Sequence, residues 1–180
     1  KYKRSGVSLS MGVGKTRLGL EHFQLVVNKV QNDQSRMARA LVVAPVTNIL
    51  EGWKKEAVKW EMEHLLKGMS YTTYRSLTKL NPSDYDVIYL DECQAIKQSH
   101  AFWLSKFEGY IIGLTGTPPK YANSEKGKLV NAFCPIRYEY LVKDAVNDKL
   151  LNDYKIIVHL LTLNSAKTHK IEVKDKKSKK

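Results

Sequence analysis

The sequence has few residues that could cross-link the chain through disulfides or bound metal ions, and few that could anchor it in a membrane. Its two cysteines, Cys93 and Cys134, show neither disulfide nor metal-site spacing, and its five histidines are scattered. No apolar run approaches the ~20 residues of a membrane span, and no charged, apolar and small-residue signal opens the chain. These absences argue against a disulfide scaffold, a zinc module and a membrane protein. They favour a reduced cytoplasmic setting, the host cytoplasm if the protein is viral, with a nuclear one still compatible.

Acidic residues are also scarce relative to basic ones. Eighteen Asp and Glu face 30 Lys and Arg, which gives a net charge of +12 and a pI of about 9.6. Such a balance predicts a polyanionic partner. Part of the excess lies in residues 164–180, whose many lysines and low apolar content predict a disordered tail or a linker toward a further domain. The rest lies in the body of the chain, at positions that include Arg36, Arg39, Lys54, Lys55, Lys59 and Arg75.

Apolar runs that alternate with amphipathic stretches predict one α/β domain over residues 1–163. Strands are expected at Gly6–Ser10, Leu41–Ala44, Gly68–Thr73, Asp86–Leu90, Tyr110–Leu114, Ile136–Tyr140 and Tyr154–Leu163. Helices are expected at Lys15–Lys29, from a start capped near Asn48 to Glu63, and at Tyr74–Leu80, Ser99–Phe107, Ser124–Phe133 and Leu141–Asn147. Residues 31–39 read as a loop. Leu18 is expected among the apolar positions of the first helix, and Trp53 and Trp60 are expected to face the core.

A glycine loop follows the first strand, in the stretch Ser10-Met11-Gly12-Val13-Gly14-Lys15-Thr16. Glycines allow backbone N–H groups to turn inward around an anion. Lys15 can reach the β- and γ-phosphates of a nucleotide, and the Thr16 hydroxyl can hold Mg²⁺. Leu9 stands where the full pattern has its first glycine. The alternative is a chance Gly-Lys-Thr in a surface turn.

An acidic pair, Asp91-Glu92, follows the apolar strand Asp86–Leu90. At the end of a buried strand, one carboxylate can hold Mg²⁺ and its neighbour can polarise an attacking water. The alternative is that one of the two acids caps a helix that begins nearby.

A third polar turn, Thr115-Gly116-Thr117-Pro118-Pro119, follows the strand Tyr110–Leu114. Its hydroxyls are suited to sense a γ-phosphate, although Thr-Gly-Thr-Pro is also an ordinary turn after a strand. Strands separated by helices imply a mostly parallel sheet covered on both faces, which binds ligands at the carboxyl ends of its strands. The glycine loop, the acidic pair and the hydroxyls all fall at such ends, so we expect them to meet.

In order and spacing, the three elements resemble the first RecA-like motor domain of superfamily 2 helicases and translocases, most of all the Swi/Snf-type and phage-type DNA motors. Residues 11–16 resemble motif I, residues 41–45 and 49–56 motif Ia, residues 72–77 motif Ib, residues 91–94 motif II and residues 114–118 motif III. The likeness covers most of residues 6–120. Gln94 departs from the His or Asp that usually closes motif II, and no glutamine motif precedes Gly6.

The resemblance implies an α/β, RecA-like P-loop fold that binds ATP and Mg²⁺. It implies that Met11, Gly12, Val13, Gly14, Lys15 and Thr16 hold the nucleotide, and that Thr16 and Asp91 hold the metal. It gives catalytic or sensing roles to Lys15, Glu92, Gln94, Thr115 and Thr117. Contacts with DNA, or alternatively RNA, are implied for Pro45, Thr47, Lys54, Thr73 and Arg75.

The resemblance also implies a second RecA-like domain as partner, because the relatives carry an arginine finger in a Gln/His-Arg-x-Gly-Arg element. These 180 residues contain no such element, so we expect nucleotide binding with slow hydrolysis and no duplex unwinding. Two alternatives to a helicase or translocase stay open. One is a nucleotide-gated nucleic-acid-binding module with little hydrolysis, and the other is the motor part of a restriction or branch-migration enzyme.

Overall fold

Six short segments form the strands of one sheet in the computed structural model, which describes residues 3–152. Their β-branched and aromatic residues suit a pleated, buried surface. In chain order the strands are β1 (Arg4–Leu9), β2 (Ala40–Ala44), β3 (Met69–Thr73), β4 (Val87–Asp91), β5 (Tyr110–Thr115) and β6 (Ile136–Tyr140). All six predicted positions within the described residues are confirmed, with boundaries that shift by at most two residues.

The amphipathic stretches between the strands form helices. They are α1 (Lys15–Gln34), α2 (Thr47–Lys59), α3 (Tyr74–Leu77), α4 (Gln98–Lys106), α5 (Glu125–Phe133) and α6 (Val142–Asn147). Short 3-10 turns lie at Glu63–Gly68, Pro82–Asp84 and Cys93–Ala95. No helix in the described part of the chain is long and apolar enough to span a membrane.

The strands run in the order β3-β2-β4-β5-β1-β6, and every pairing is parallel. Alternate residues of each strand point to opposite faces, and each face carries its own apolar core. One core lies under α1 and α2 around Phe23 and Trp53, and the other lies under α3, α4 and α5 around Leu104 and Phe107. The α/β class with a parallel, RecA-like sheet covered on both faces is therefore confirmed.

The first two helices differ from their predicted bounds. Helix α1 continues to Gln34, and it ends where Ser35 adopts a left-handed conformation with φ 51° and donates its N–H to the Gln31 carbonyl. Residues 31–34, predicted as loop, are therefore helical. Helix α2 begins at Thr47 without a side-chain cap, so the predicted cap at Asn48 is wrong. It ends at Lys59 rather than Glu63, since Glu61 takes φ 57° and turns the chain away.

Two residues that were expected in the core are exposed. Trp53 is fully buried as predicted, but Trp60 is 36% exposed. The guanidinium of Arg17 lies 3.9 Å from the centre of a Trp60 ring, and the Trp60 indole N–H donates to Glu56. Leu18, on the first turn of α1, is 38% exposed. The predicted strand Tyr154–Leu163 and the Lys-rich segment 164–180 lie outside the described residues.

Candidate functional site: a strand-end cluster around the glycine loop

The glycine loop and the Thr115 turn flank the point where the chain reverses its winding direction across the sheet. Strands β1 and β5 are neighbours. The chain leaves β1 through α1 toward β2, and it leaves β5 through α5 toward β6 on the opposite side. The two connections diverge and open a crevice at the carboxyl ends of the strands, which is where open α/β sheets bind ligands.

The loop between β1 and α1 has the backbone that its glycines were expected to allow. Gly12 and Gly14 have φ angles of 84° and 96°, in the left-handed region that strains other residues. Gly14 is the residue before the first turn of α1, and no side chain caps that helix start. The first N–H groups of α1 are therefore available to an anion, which a helix N-terminus also favours through its dipole.

The Lys15 ammonium lies close to this loop, where it donates to the carbonyl of Leu9 at 3.3 Å. Gly116 closes the space on the side of β5. A Cβ atom added at Gly116 would come within 3.2 Å of both the Lys15 Nζ and the Leu9 carbonyl oxygen. A side chain at position 116 would therefore crowd the Lys15 ammonium, and the glycine leaves this space open.

Asp91 ends β4 as a nearly buried carboxylate, 5% exposed. Its Oδ2 accepts the indole N–H of Trp53 at 2.8 Å, and its Oδ1 accepts the backbone N–H of Glu92 at 3.0 Å. Burial raises the pKa of the Asp91 carboxyl, and the neighbouring Glu92 charge adds to this, whereas the Trp53 hydrogen bond and the Lys15 charge lower it. Each oxygen keeps a further lone pair.

These donors fit a magnesium ion held beside a triphosphate. Mg²⁺ prefers a small number of carboxylate and hydroxyl oxygens together with phosphate and water. Burial disfavours the charged form of Asp91, and a bound cation would reverse that effect. Asp91 ends β4 and Thr16 lies in the first turn of α1, so a carboxylate and a hydroxyl both lie near the carboxyl ends of the strands.

Glu92 lies just beyond Asp91 in a left-handed backbone conformation with φ 49°. Few non-glycine residues adopt this region, and such outliers gather at functional sites. The turn is fixed by the N–H of Ala95, which donates to the Glu92 carbonyl at 2.8 Å. The Glu92 side chain is connected to the turn after β5 through Gln94.

Gln94 joins the acidic pair to that turn. Its amide Nε2 donates to Glu92 Oε2 at 2.8 Å and to Thr117 Oγ1 at 3.1 Å. Its Oε1 accepts the Thr115 hydroxyl at 2.6 Å, and Thr115 Oγ1 in turn accepts the Thr117 N–H at 3.0 Å. The four side chains form one hydrogen-bonded group across the ends of β4 and β5.

A separate cleft of about 530 Å³ opens at the ends of β2, β3 and β4. Its wall includes Pro45 and Arg75, both expected to contact nucleic acid, and also Lys97 and Ser99 at the start of α4. Two cationic side chains and a helix start therefore face one opening, an arrangement suited to phosphate groups.

The other three residues that were expected to contact nucleic acid are not part of the wall of this cleft. Thr47 is exposed at the first turn of α2, and Thr73 ends β3. Lys54 lies on the exposed side of α2, where its ammonium pairs with Glu51 at 2.8 Å and lies 5.4 Å from the Tyr71 ring centre. Its local partners make Lys54 the weakest of the five candidates.

Three residues of the site were missed by the sequence reasoning. Trp53 was assigned to the core alone, but its N–H holds the Asp91 carboxylate. The Tyr74 hydroxyl donates to the Asp91 carbonyl at 3.1 Å, and Lys97 lines the cleft at the ends of β2, β3 and β4. Only Lys97, three residues after Gln94, carried a usable signal, since a basic residue so near an acidic motif could have been considered a phosphate contact.

Comparisons with known proteins bear on the fold alone. No protein-family profile matches the sequence, and no curated protein matches it. A solved structure with weak similarity to this chain is a mutant ATPase domain of the large terminase of Thermus phage P74-26. It shares 15% sequence identity, with a TM-score of 0.47 over 67% of this chain and 62% of that one. The chain thus spans less than two thirds of that domain.

Proposed function

We propose that the chain is the ATP-binding motor domain of a DNA helicase or translocase of superfamily 2, which couples ATP hydrolysis to movement on DNA. The observation that carries this proposal is the convergence at one crevice of the glycine loop, the buried Asp91 with its neighbour Glu92, and the turn after β5. The Gln94 hydrogen bonds that link the last two support it further.

In this proposal the nucleotide is held by the loop between β1 and α1. The N–H groups of residues 12–16 bind the phosphate oxygens, and the Lys15 ammonium neutralises charge on the γ-phosphate. Thr16 and Asp91 hold Mg²⁺. The metal would supply a positive charge next to the phosphates. Trp53 keeps the Asp91 carboxylate in place through its hydrogen bond.

Glu92 is the proposed general base. Its carboxylate orients the attacking water and accepts its proton. Gln94 holds that carboxylate through its Nε2, and the same amide is held by the Thr115 and Thr117 hydroxyls. Loss of the γ-phosphate would disturb Thr115 and Thr117, and through Gln94 the change would reach the loops that contact DNA.

The proposed DNA contacts are with the phosphate backbone. Pro45, Arg75 and Lys97 line one cleft, Thr47 begins α2, and Thr73 lies at the end of β3. Such contacts carry no sequence code, so we expect little sequence preference and a strong dependence on salt. The net charge of +12 agrees with a polyanionic ligand.

A nucleotide-gated binding module that hardly hydrolyses ATP is the second candidate. The absence of a Gln/His-Arg-x-Gly-Arg element from the 180 residues favours it for the chain as it stands, because an arginine finger can contribute ~10³-fold or more to the rate. We therefore expect slow basal turnover by this chain and no duplex unwinding. Rapid unwinding by the 180-residue chain would contradict the expectation.

The proposed function is tested by ATPase measurements with and without DNA on the wild type, Lys15→Ala and Glu92→Gln. Lys29→Ala is the control, since Lys29 lies on the same helix but away from the loop. We expect Lys15→Ala to lose ATP binding, and Glu92→Gln to bind ATP but lose turnover. Unchanged turnover in both variants would remove the motor assignment. If the wild type had turnover too low to measure but a DNA affinity that depends on ATP, the binding module would be favoured.

A further inference from the structure

A cavity of about 550 Å³ adjoins the glycine loop on the side away from the acidic pair. Its size lies in the range of ordinary small-molecule sites. Val13 and Gly14 of the loop form part of its wall, so it is continuous with the place proposed for the phosphates. The proposed chemistry at Asp91 and Glu92 does not use it.

One wall of this cavity is formed by the paired strands β1 and β6, and we call this surface the β6 shelf. Val7 of β1 lies beside Tyr138 of β6, and Leu9 lies beside Tyr140, so that all four side chains face α1. The Ser10 hydroxyl donates to the Tyr140 carbonyl at 3.1 Å, which ties β6 to the glycine loop. The Tyr140 hydroxyl is held by Asp148 at 2.5 Å, whereas Tyr138 remains 57% exposed.

The strand order decides which end of a nucleotide would reach this shelf. The neighbouring strands run β4, β5, β1, β6. If the γ-phosphate lies near Glu92, just after β4, and near Thr115, at the end of β5, the remaining phosphates cross the loop after β1, and the nucleoside continues toward β6. A planar base that arrived there would meet Val7, Leu9 and the ring of Tyr138.

We propose that this shelf binds the nucleoside of the triphosphate and that the Tyr138 ring stacks on the base. The inference rests on the proposed function, because it needs the phosphates in the glycine loop. Arg17 and Glu21, the charged residues of the cavity wall, pair with each other at 2.8 Å. Stacking tolerates every base because each has a π-face. The site therefore accepts a planar purine and discriminates weakly between ATP and GTP.

A competing location lies on the other side of the first turn of α1. That smaller cavity, of about 320 Å³, is lined by residues 12–17 of the glycine loop and of α1 together with Glu56, Lys59 and Trp60. The Trp60 ring already carries the Arg17 guanidinium at 3.9 Å, and the cavity lies on the side of α2, toward β4. For both reasons the β6 shelf is the better base site, and Trp60 provides a direct comparison.

The test is calorimetric titration of the 180-residue protein with ATP and with inorganic tripolyphosphate, both with Mg²⁺. We expect ATP to bind the wild type about tenfold or more tighter than tripolyphosphate, and Tyr138→Ala to weaken ATP by at least about fivefold. Tripolyphosphate binding should stay unchanged, which also shows that the variant is folded. Tyr138→Phe keeps the ring and should retain ATP affinity. Tyr121→Ala, which removes another exposed tyrosine, should change neither ligand.

Three results would overturn the inference. One is a ratio of ATP to tripolyphosphate affinity that Tyr138→Ala leaves unchanged. Another is a selective loss of ATP affinity in Trp60→Ala, which would move the base to the smaller cavity. The third is a preference for one purine above about a hundredfold, since stacking cannot supply it. If the wild type bound neither ligand, or if Lys15→Ala left tripolyphosphate binding intact, the proposed function itself would fail.

Discussion

Two glycines inside helices offer a test of the packing that supports the site. Gly19 lies in α1 and Gly52 in α2. A Cβ atom at Gly19 would fall 2.3 Å from Cη2 and 2.9 Å from Cζ3 of Trp53, whereas a Cβ atom at Gly52 would meet nothing within 4 Å. The same substitution, Gly→Ala, should therefore have opposite effects at the two positions.

The magnitudes follow from two competing terms. Alanine stabilises a helix interior by roughly 0.5–1 kcal/mol relative to glycine, and at Gly52 this gain is all that changes. At Gly19 the Trp53 ring cannot withdraw, because it is fully buried, packs against Tyr89 and donates to Asp91. Overpacking of this kind costs about 1–3 kcal/mol. We expect Gly19→Ala to be net destabilising by about 1–2 kcal/mol.

Urea unfolding of the wild type, Gly19→Ala and Gly52→Ala measures both signs. Placing Gly19→Ala in a Trp53→Phe background completes a double-mutant cycle, in which the smaller ring should remove most of the cost. Because the Trp53 indole holds Asp91, Gly19→Ala should also weaken Mg²⁺-dependent ATP binding, while Gly52→Ala should not. The reasoning is refuted if both alanines stabilise, or if the cost at Gly19 is the same in both backgrounds.

Three further predictions concern a charge pair, two thiols and the Gln94 amide. Burial raises the pKa of Asp86, but hydrogen bonds from Arg36 and from a backbone N–H outweigh it and hold the pKa below its ordinary value. The Asp86→Asn substitution should therefore lower the free energy of unfolding by about 1 kcal/mol near pH 7. This difference from the wild type should vanish as the pH falls through the folded-state pKa of Asp86. A difference that does not change with pH would contradict the reasoning. Cys93 and Cys134 are free and buried in the core under α3, α4 and α5, so a thiol reagent should label neither before unfolding and both after it. Rapid labelling of the native protein would show that this core is open. Gln94→Ala should keep ATP affinity but lower DNA-stimulated turnover about tenfold or more by releasing Glu92, and an unchanged turnover would remove its positioning role.

The element order and the strand-end location of the acidic pair could be predicted because both depend on local patterns. Strand β4 is a continuous apolar run that ends in Asp91, and a parallel sheet brings such ends to one edge. The start of α2 could not be predicted from capping residues, because Val46 and Thr47 begin the helix without a side-chain cap. The residues that bury α2 against the sheet lie beyond this start and are Leu50, Trp53 and Ala57.

Contacts between residues distant in sequence could not be predicted. The Trp53 bond to Asp91 spans 38 positions, and the Gln94 bond to Thr117 spans 23. Trp53 and Trp60 lie seven positions apart, a spacing that places both on one side of an ideal helix, yet only Trp53 is buried. Helix α2 ends before Trp60, so the helical period no longer applies to it.

The central claim is that a triphosphate and its metal bind where β1, β4 and β5 end. A crystal structure of the protein grown with Mg²⁺ and a nonhydrolysable ATP analogue tests it most directly. We expect the phosphates against the N–H groups of residues 12–16, with Lys15 turned from Leu9 onto the γ-phosphate and the metal beside Thr16 and Asp91. A nucleotide bound elsewhere, or a crevice left empty at saturating analogue with Lys15 still on the Leu9 carbonyl, would contradict the account.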